Sequence, residues 1–408
     1  MLRLAFVSPV FLFPNDAGGK IRTTNILRGL KGGAFDITLL SPATDAQRIE
    51  WRDALVEVSD RFECWEPAPA RARWRRALDL ANRLPVNVAA DNTAAARRCI
   101  TRVLAEGEFD VVVFDFVHAA VLRPPELGMA TVCFTHNVEA EIFDRHSRNA
   151  RHLPMRRVWA SQHLKMRRFE QEALSQFTSV VAVSERDAAF FRQHYGLNDV
   201  ADIPTGVNLD FFSWEPPPTV DERHPPTVVF TGSMDWEANI DGVTHFLDDV
   251  WPLVLRELPQ ARFKVVGRHP PAGLLARAQR TSGVEFTGFV DDVRPHAHGA
   301  HAFAIPLRVG GGTRIKAFEA MAMGCPVVST TIGIEGLDVE ADRHYLLRDS
   351  AAEQAAGLLA LLRDASLRER LSREARACME ERFGHRVAAD VFERICLHAV
   401  ERHTARST

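Results

Sequence analysis

The stretch 306–336 constrains the fold of this chain more than any other part of it. Its three consecutive glycines, 310–312, give a backbone that bends freely and can approach a ligand closely. Thr313 is a suitable N-cap, and apolar residues then recur at the three-, four- and seven-residue spacings of a helix. Gly324 fits the end of that helix, and the apolar run 325–328 has its proline near the start, where a strand tolerates a missing N–H. The stretch therefore predicts a glycine loop, a short helix, a tight stop and a buried strand.

Charge is the unusual property of this predicted helix. Arg314 and Lys316 stand in its first turn, where the helix dipole disfavours cations by about 0.3–1 kcal/mol. Free backbone N–H groups point outward at the same place, so the loop and the two cations predict an anion site. Glu319 follows one turn later, and a ribose diol would supply the donors that its carboxylate needs. Phosphate and sugar together suggest a nucleotide; the alternative is a solvated turn in which Lys316 pairs with Glu319.

Length and composition exclude several other classes of protein. A chain of 408 residues is too long for one ordinary core, and 46% hydrophobic with 25% charged residues is typical of folded domains. The net charge of −3 gives no general attraction to nucleic acid. The six cysteines lack metal-ligand spacing, no stretch is apolar enough to span a membrane, and no signal-peptide pattern is present. The sequence therefore predicts a cytoplasmic protein.

Polar residues follow several predicted strands of the first half of the chain. A strand at 2–8 leads to the glycine turn at 18–19 and then to a helix. Further polar strand ends are Asp115, His136, Ser184 and Thr205. Because the carboxyl ends of parallel strands meet at one edge of a sheet, we expect a shared ligand cleft there. For a single histidine after a strand, a structural hydrogen bond is the alternative interpretation.

The proline-rich stretch 213–226 divides this pattern into two halves. It lacks periodicity, and the strand–turn–helix rhythm restarts after it. We therefore expect Rossmann-like domains at 1–212 and 227–384, with a ligand cleft between them. The last helix, 385–408, is expected to cross back to the first domain. An exposed tail is the alternative.

Two segments are rich in basic residues. The segment 71–83 carries five arginines, and the segment 145–168 carries eight arginines or lysines with apolar residues interleaved. One interpretation is a solvated helix face. The other is contact with an anionic membrane surface or a pyrophosphate-linked lipid, which would place the protein at the inner face of the cell membrane.

Short motifs in a fixed order connect these observations. They are Gly18-Gly19 with Arg22, V-A-V-S at 181–184, I-P-T-G-V-N at 203–208, F-T-G-S at 230–233, V-V-G at 265–267, F-T-G-F-V at 286–290 and F-E-A-M-A-M-G-C-P-V-V at 318–328. The ordered set resembles the retaining GT-B glycosyltransferases of family 4 (GT4) over nearly the whole chain. The G-G-G-T-R-I-K form, followed by E-G-L at 335–337, resembles a subgroup that acts in bacterial exopolysaccharide and cell-surface glycan assembly.

The resemblance implies an α/β fold of the GT-B type, with two Rossmann-like doubly wound domains facing across a cleft. It implies a hexosyltransferase that moves a sugar from a nucleoside diphosphate sugar to a glycan or lipid-linked acceptor and retains the anomeric configuration. No cofactor or metal is expected. The implied contacts are Glu319 to the ribose, Phe289 and Val290 to the base, Gly19, Gly232 and Ser233 to the diphosphate, and His136 and Asp115 to the sugar or acceptor.

The chain departs from the family pattern in two places. Gly311 stands where the family has the first of two glutamates, and no basic pair follows the first strand of the second domain. We expect Arg314 and Lys316, with Arg308, to replace that pair. Gly312 and Thr313 would complete the loop that grips the diphosphate.

These departures leave two other functions open. A nucleotide-sugar epimerase with the same fold would use the donor alone. A catalytically silent nucleotide-sugar-binding protein would bind the donor without turnover. The residues specify neither the base, the sugar, the acceptor and linkage, nor the oligomeric state.

Overall fold

The computed structural model describes residues 1–15, 17–68, 80, 82–149, 153–204, 206–221, 225–309 and 314–407. Two compact units make up the chain. The first comprises residues 1–206 together with 385–408, and the second comprises residues 207–384. Thr205, the triple glycine with Thr313, and most of the basic segment 71–83 lie outside the described residues.

The first unit is built on a parallel sheet of seven described strands in the order β3-β2-β1-β4-β5-β6-β7. The strands are β1 (Leu2–Val7), β2 (Phe35–Pro42), β3 (Arg61–Trp65), β4 (Val111–Asp115), β5 (Ala130–Phe134), β6 (Ser179–Ala182) and β7 (Val200–Asp202). Successive residues of β1 point into two different cores, Leu4 and Phe6 on one face and Ala5 and Val7 on the other. A sheet that is buried on both faces needs helices on both sides.

Helices supply that cover. They are α1 (Gly18–Leu30), α2 (Asp45–Glu50), α3 (Arg52–Val58), α4 (Val86–Asp91), α5 (Ala94–Glu106), α6 (Glu139–Asn149), α7 (Leu153–Leu174) and α8 (Glu185–Tyr195), with a short 3-10 turn at Val117–Leu122. The helix at the end of the chain, His385–Ser407, belongs to the same unit and adds Ala388, Phe392 and Cys396 to its core.

The second unit repeats the plan with six described strands in the order β10-β9-β8-β11-β12-β13, all parallel. The strands are β8 (Thr227–Thr231), β9 (Arg262–Val266), β10 (Val284–Gly288), β11 (Ala302–Ile305), β12 (Val327–Ser329) and β13 (Leu346–Leu347). Its helices are α9 (Glu237–His245), α10 (Trp251–Glu257), α11 (Ala272–Arg280), α12 (Arg294–His298), α13 (Ile315–Ala322), α14 (Ala351–Arg363) and α15 (Ala365–Cys378); the helix of the first unit that follows is α16 (His385–Ser407).

Both sheets reverse their strand order at an internal position, between β1 and β4 in the first unit and between β8 and β11 in the second. At such a position the connections leave toward opposite faces, and a crevice opens at the carboxyl ends of the strands. The prediction of two Rossmann-like sheets is confirmed, and each unit has its own place where a ligand can bind.

The structure differs from the sequence-based expectation in two local features. The edge strand β3, R-F-E-C-W, was not predicted, because its exposed and half-buried side chains give no continuous apolar run. Part of the proline-rich stretch packs within the second unit: Trp214 Nε1 donates to Ser372 Oγ at 2.9 Å, and the Glu215 N–H donates to the Met323 carbonyl at 3.2 Å. These hydrogen bonds anchor the stretch, so it is no free linker at this point.

Among the described residues, every helix is either too short or too polar to cross a bilayer.

The contact of α1 with α16 gives a test of the first unit. A Cβ added at Gly29 would lie 2.2 Å from the Ala389 Cβ, and the gain in helix propensity from Gly to Ala is only about 1 kcal/mol. We expect Gly29→Ala to destabilise the protein by about 1–3 kcal/mol in urea-induced unfolding, because the added methyl overlaps the facing helix.

Gly128→Ala is the matched control, since nothing lies within 4 Å of a Cβ at that position. Combining Gly29→Ala with Ala389→Gly should restore part of the loss, because the double variant removes the overlapping atom. A Gly29→Ala protein as stable as the wild type would contradict this account of the contact.

Candidate functional site

The loop after β8 starts with a backbone that accommodates only glycine. A Cβ at Gly232 would lie 2.7 Å from Asn239 Nδ2 and 2.8 Å from Lys316 Nζ. A Cβ at Gly267, which follows the neighbouring strand β9, would lie 1.9 Å from the Gly232 carbonyl oxygen. At Gly267 the overlapping atom is backbone, so close packing requires glycine there, and Gly232 has a φ of +158° that L side chains rarely adopt. Their contact brings the ends of β8 and β9 together.

Lys316 reaches this glycine from the first turn of α13. Its Nζ donates to Asn239 Oδ1 at 2.8 Å, and Asn239 Nδ2 donates to the Ser233 carbonyl at 2.7 Å. The ammonium also lies 4.2 Å from the centroid of the Phe230 ring, a cation–π distance. The buried Asn239 amide therefore connects the lysine to the backbone of the β8 loop.

The sequence of α13 explains why Lys316 points toward the loop. Phe318 and Met321 are buried in the core of the second unit, and the helix stops before Gly324, which has φ +82°. Burial of that face fixes the rotation of the helix. Lys316 and Glu319, three positions apart, then share its half-buried edge.

Lys316 and Glu319 are electrostatically coupled. Burial lowers the pKa of Lys316 to about 7, with repulsion from Arg314 adding to the shift and Glu319 opposing it. Burial raises the pKa of Glu319 to about 7, with Lys316 opposing the shift. No hydrogen bond reaches the Glu319 carboxylate from the described part of the chain. Both groups therefore lie close to the point of losing their charge, and a ligand that pairs with them would restore it.

The other two predicted cations lie in different settings. Arg314 is the N-cap of α13 and is 2% exposed; its Nε donates to the Ile332 carbonyl at 2.9 Å. Its guanidinium lies 5.7 Å from the Trp236 ring centroid. Arg308 makes a two-pronged ion pair with Asp241, at 3.1 and 2.7 Å. Of the three cations, only Lys316 lies against Gly232.

Ser233 belongs to a polar cluster that includes residues after β9. Its Oγ donates to Asp235 Oδ2 at 2.9 Å, and Arg268 Nε lies 3.4 Å from the same hydroxyl. His269 Nδ1 lies 3.0 Å from Asp235 Oδ2. The cluster places a further cation, Arg268, at this edge of the sheet.

The other residues of the second unit that were predicted to bind the nucleotide-sugar donor either lie away from Gly232 and Lys316 or are outside the described residues. Phe289 is 69% exposed and Val290 is half-buried, and both follow β10. Since β10 is two strands from β8, they lie about 10 Å along the sheet edge. Gly311, Gly312 and Thr313 lie outside the described residues.

In the first unit, Asp115 and His136 form a buried pair at the β1–β4 switch point. His136 Nε2 lies 2.7 Å from Asp115 Oδ1, and the carboxylate also accepts hydrogen bonds from Ser8 Oγ at 3.0 Å and Thr23 Oγ1 at 3.0 Å. Burial lowers the pKa of His136 despite the neighbouring carboxylate. The imidazole is therefore neutral near pH 7, with its proton on Nε2. Asp115, which is 0% exposed, can act only by positioning His136.

The second ring nitrogen of His136, Nδ1, is buried. Among the described residues, Nδ1 has no hydrogen-bond partner. A Cβ at Gly19 would lie 3.7 Å from it and 2.7 Å from the Phe116 ring, which stacks on the imidazole with centroids 4.0 Å apart. The structure thus brings Gly19, Asp115 and His136 together. The lone pair of Nδ1 can accept a hydrogen bond from a ligand hydroxyl.

Sequence reasoning missed two residues of the second-unit site, Asn239 and Arg268. Asn239 carries no recognisable signal, because an asparagine in the first turn of a helix usually forms local hydrogen bonds. Arg268 could have been found: it follows Gly267 and β9 in the same way that Ser233 follows Gly232 and β8. Two neighbouring parallel strands that end in glycine bring the next residues to one edge.

Two family models match the chain, and between them they cover most of its length. One, described as Glycosyltransferase Family 4, matches residues 17–211. The other, described as Glycosyl transferases group 1, matches residues 225–364. The chain belongs to glycosyltransferase family 4. The predicted resemblance to the glycosyltransferases of family 4 is confirmed.

Two relatives of this glycosyltransferase are named as mannosyltransferases. A phosphatidyl-myo-inositol mannosyltransferase of Mycobacterium leprae is 32% identical over 202 residues, which are 47% of this chain and 51% of that protein. A protein of the same name from Mycobacterium tuberculosis is 26% identical over 296 residues, which are 68% of this chain and 70% of that one. The chain thus spans about half the length of the first relative. The expected enzyme class, a hexosyltransferase-type glycosyltransferase, agrees with these names.

Solved structures confirm the fold class. Sucrose-phosphate synthase from Thermosynechococcus elongatus aligns with a TM-score of 0.69 at 17% identity, covering 100% of both chains. Anabaena HepE in complex with UDP aligns with a TM-score of 0.65 at 13% identity, covering 96% of this chain and 99% of that one. The glycosyltransferase has the GT-B type of α/β fold.

The two perturbed groups predict opposite pH dependences of stability. The pKa of Lys316 is lowered from 10.5 to about 7 on folding, so the unfolded chain holds more protons between these values and this lysine makes stability rise with pH there. The pKa of Glu319 is raised from 4.5 to about 7, so this carboxyl makes stability fall from pH 4.5 to 7. We expect contributions of about 1–2 kcal/mol, because both side chains remain partly hydrated.

Amide hydrogen exchange of β8 and α13 measures these contributions as differences from the wild type. Lys316→Met should abolish the rise in stability between pH 7 and 9 and, because Lys316 lowers the pKa of Glu319, should extend the fall in stability above pH 7. Glu319→Gln should abolish the fall in stability between pH 5 and 7 and, because Glu319 raises the pKa of Lys316, should extend the rise in stability below pH 7. Differences that do not change with pH would contradict the two assignments.

Proposed function

We propose that this glycosyltransferase moves a hexosyl group from a nucleoside diphosphate sugar to a glycan or lipid-linked acceptor, with retention of the anomeric configuration. The observation that carries the proposal is the position of Lys316. Its ammonium lies against Gly232 at the β8–β11 switch point and is held by Asn239 at 2.8 Å. That is where the usual basic pair of the family is missing from the sequence.

The charge of Lys316 suits the chemistry of the leaving group. When the glycosidic bond breaks, its electron pair stays with the departing diphosphate, whose negative charge increases in the transition state. A cation about 4 Å away contributes roughly 4 kcal/mol at an effective dielectric of 20, before desolvation costs. Lys316 is half-buried next to Arg314, so an arriving diphosphate also favours its protonated form. In this proposal, positively charged side chains neutralise the negative charge of the diphosphate, without a metal or cofactor.

Glu319 supplies the contact to the ribose in this proposal. Its carboxylate accepts no hydrogen bond from the described residues, and a ribose diol offers two donors. Phe289 and Val290, about 10 Å along the sheet edge, would then flank the base. Retention would follow from attack on the face that the diphosphate leaves, as the family resemblance implies.

His136 is the proposed contact to the sugar or acceptor in the first unit. Asp115 accepts a hydrogen bond from the protonated Nε2 of His136, so Nδ1 of the ring can accept a hydrogen bond from a sugar hydroxyl. The role assigned to Asp115 from the sequence becomes one of positioning, because its carboxylate is fully buried and occupied by Ser8, Thr23 and His136.

The surface of α7 supports an acceptor located in a membrane. Leu153 and Leu164 are 70% and 65% exposed and, about three turns apart, lie on the same face of this helix. Arg156 and Arg157 are also exposed and form no ion pair within the described residues. An exposed apolar and basic helix face is typical of proteins that lie on anionic membranes. The names of the relatives, phosphatidyl-myo-inositol mannosyltransferases, are consistent with a lipid acceptor.

Lys316→Ala tests the donor site directly. We expect kcat to fall about a hundredfold, equivalent to about 2.7 kcal/mol, because the transition state loses a cation. The donor is first identified by thermal shift with UDP, GDP, ADP, TDP and CMP, since ligand at 100 times Kd adds about 2.7 kcal/mol of stability. Transfer is then measured with the matching sugar nucleotides, and NMR of the product gives its anomeric configuration.

Lys264→Ala is the matched control, because Lys264 lies on the same unit within β9 and pairs with Glu285 at 3.8 Å. It should keep wild-type kcat. A Lys316→Ala enzyme with near-wild-type kcat would remove the assignment of Lys316. Conversion of the donor to an isomer would identify an epimerase, and donor binding without transfer to any acceptor would identify a silent binder.

Because the surface of α7 is proposed to contact the membrane, we expect the double substitution Arg156→Glu with Arg157→Glu to weaken binding to anionic phospholipid vesicles at least tenfold. Each arginine near such a surface contributes about 1 kcal/mol, and each reversal also adds repulsion. Vesicle flotation measures the bound fraction. Arg97→Glu with Arg98→Glu on α5 is the control, since these exposed arginines lie on another helix of the same unit. Equal flotation of all three proteins would exclude the surface of α7 as the contact.

A further inference from the structure

Arg268 provides a second cation at the loop after β8. In the sheet, β8 lies between β9 and β11, so Arg268 reaches Gly232 and Ser233 from the β9 flank and Lys316 reaches them from the β11 flank. The backbones are in direct contact, because a Cβ at Gly267 would lie 1.9 Å from the Gly232 carbonyl oxygen. Nothing in the family motif predicted a cation at this position.

The backbone and side chain of Arg268 are both tied to the β8 loop. The Met234 N–H donates to the Arg268 carbonyl at 3.0 Å. Arg268 Nε lies 3.4 Å from Ser233 Oγ and 3.4 Å from Asp235 Oδ2. These contacts fix the arginine to the loop that the donor diphosphate would approach.

The N–H groups on the two terminal nitrogens of Arg268 can donate to a ligand. In the part of the chain that the structure describes, these two nitrogens make no hydrogen bond, and the side chain is 42% exposed. Asp235 also accepts from Ser233 and lies 3.0 Å from His269 Nδ1, so its carboxylate is shared among three groups. A guanidinium held at Nε and open at its end presents two parallel N–H groups, the arrangement that matches phosphate oxygens.

We infer that Arg268 and Lys316 together hold the diphosphate of the donor, one from each flank of Gly232-Ser233. The inference rests on the proposed function. It replaces Arg314 as the expected partner of Lys316, because Arg314 is 2% exposed and its Nε is bonded to the Ile332 carbonyl. It also replaces Arg308, which is paired with Asp241.

The experiment is calorimetric titration of the full chain with three probes: inorganic pyrophosphate, the nucleoside diphosphate found by thermal shift, and the corresponding monophosphate. We expect Arg268→Ala to raise Kd about tenfold for pyrophosphate and for the diphosphate, and less than threefold for the monophosphate. Arg268→Lys, which keeps the charge without the planar donors, should give an intermediate loss. Arg280→Ala is the control, an exposed arginine at the end of α11.

The outcomes separate this inference from the proposed function. If Arg268→Ala weakens the binding of both pyrophosphate and the nucleoside diphosphate, and Arg280→Ala weakens neither, the inference is supported. An Arg268→Ala protein whose Kd values are within twofold of wild type overturns it, while the donor site itself stands if Lys316→Ala still loses affinity. Pyrophosphate binding that depends on Arg268, without binding of any nucleoside diphosphate, supports the anion site and overturns the proposed donor. A wild type that binds neither overturns both.

Discussion

The second unit of this glycosyltransferase depends on one buried amide. Asn239 accepts a hydrogen bond from Lys316 Nζ and donates one to the Ser233 carbonyl, so it fixes the distance between α13 and the loop after β8. An amide can do this because it has a donor and an acceptor on one rigid group. A charged residue in its place would either repel the lysine or leave a buried charge against a backbone carbonyl. The close glycine pair, Gly232 and Gly267, gives the amide and the ammonium the space they need.

This arrangement explains how the enzyme can lack the basic pair of its family and still have a cation at the loop. The cation comes from the next crossover in the chain, after β11, and reaches the same loop because β8 and β11 are neighbours. Strand order is therefore the reason that Lys316, far along the sequence, can bring a cation to the loop that begins at Gly232. The helix start remains an unfavourable place for a lysine by itself. Contact with Phe230 and Asn239 offsets part of that cost.

The sequence could predict the strands and their order of appearance, because parallel strands buried on both faces are continuous apolar runs, as in V-V-V-F at 111–114. It could predict that Lys316 and Glu319 lie near the loop that begins at Gly232, because the motif at 318–328 and the strand ends coincide there. It could not assign partners. Arg314 and Lys316 are two residues apart and look equivalent, yet the buried face of α13 turns one toward Ile332 and the other toward Gly232. Edge strand β3 was missed because it gives no continuous apolar run, and Asn239 was missed because it carries no recognisable signal, whereas Arg268 could have been found from its position after Gly267 and β9.

The opposed shifts of Lys316 and Glu319 give a reason why such a site would discriminate between ligands. Each group is half-buried and close to losing its charge, so the pair carries an electrostatic cost that its packing does not remove. A simple phosphate can satisfy the ammonium but leaves the carboxylate without donors, and a neutral sugar does the reverse. Only a ligand with an anion and a diol at the right separation satisfies both, and its binding energy then includes relief of both costs. Selectivity for a nucleotide over its fragments would thus come from the desolvation of two coupled groups, each of which is unfavourable alone.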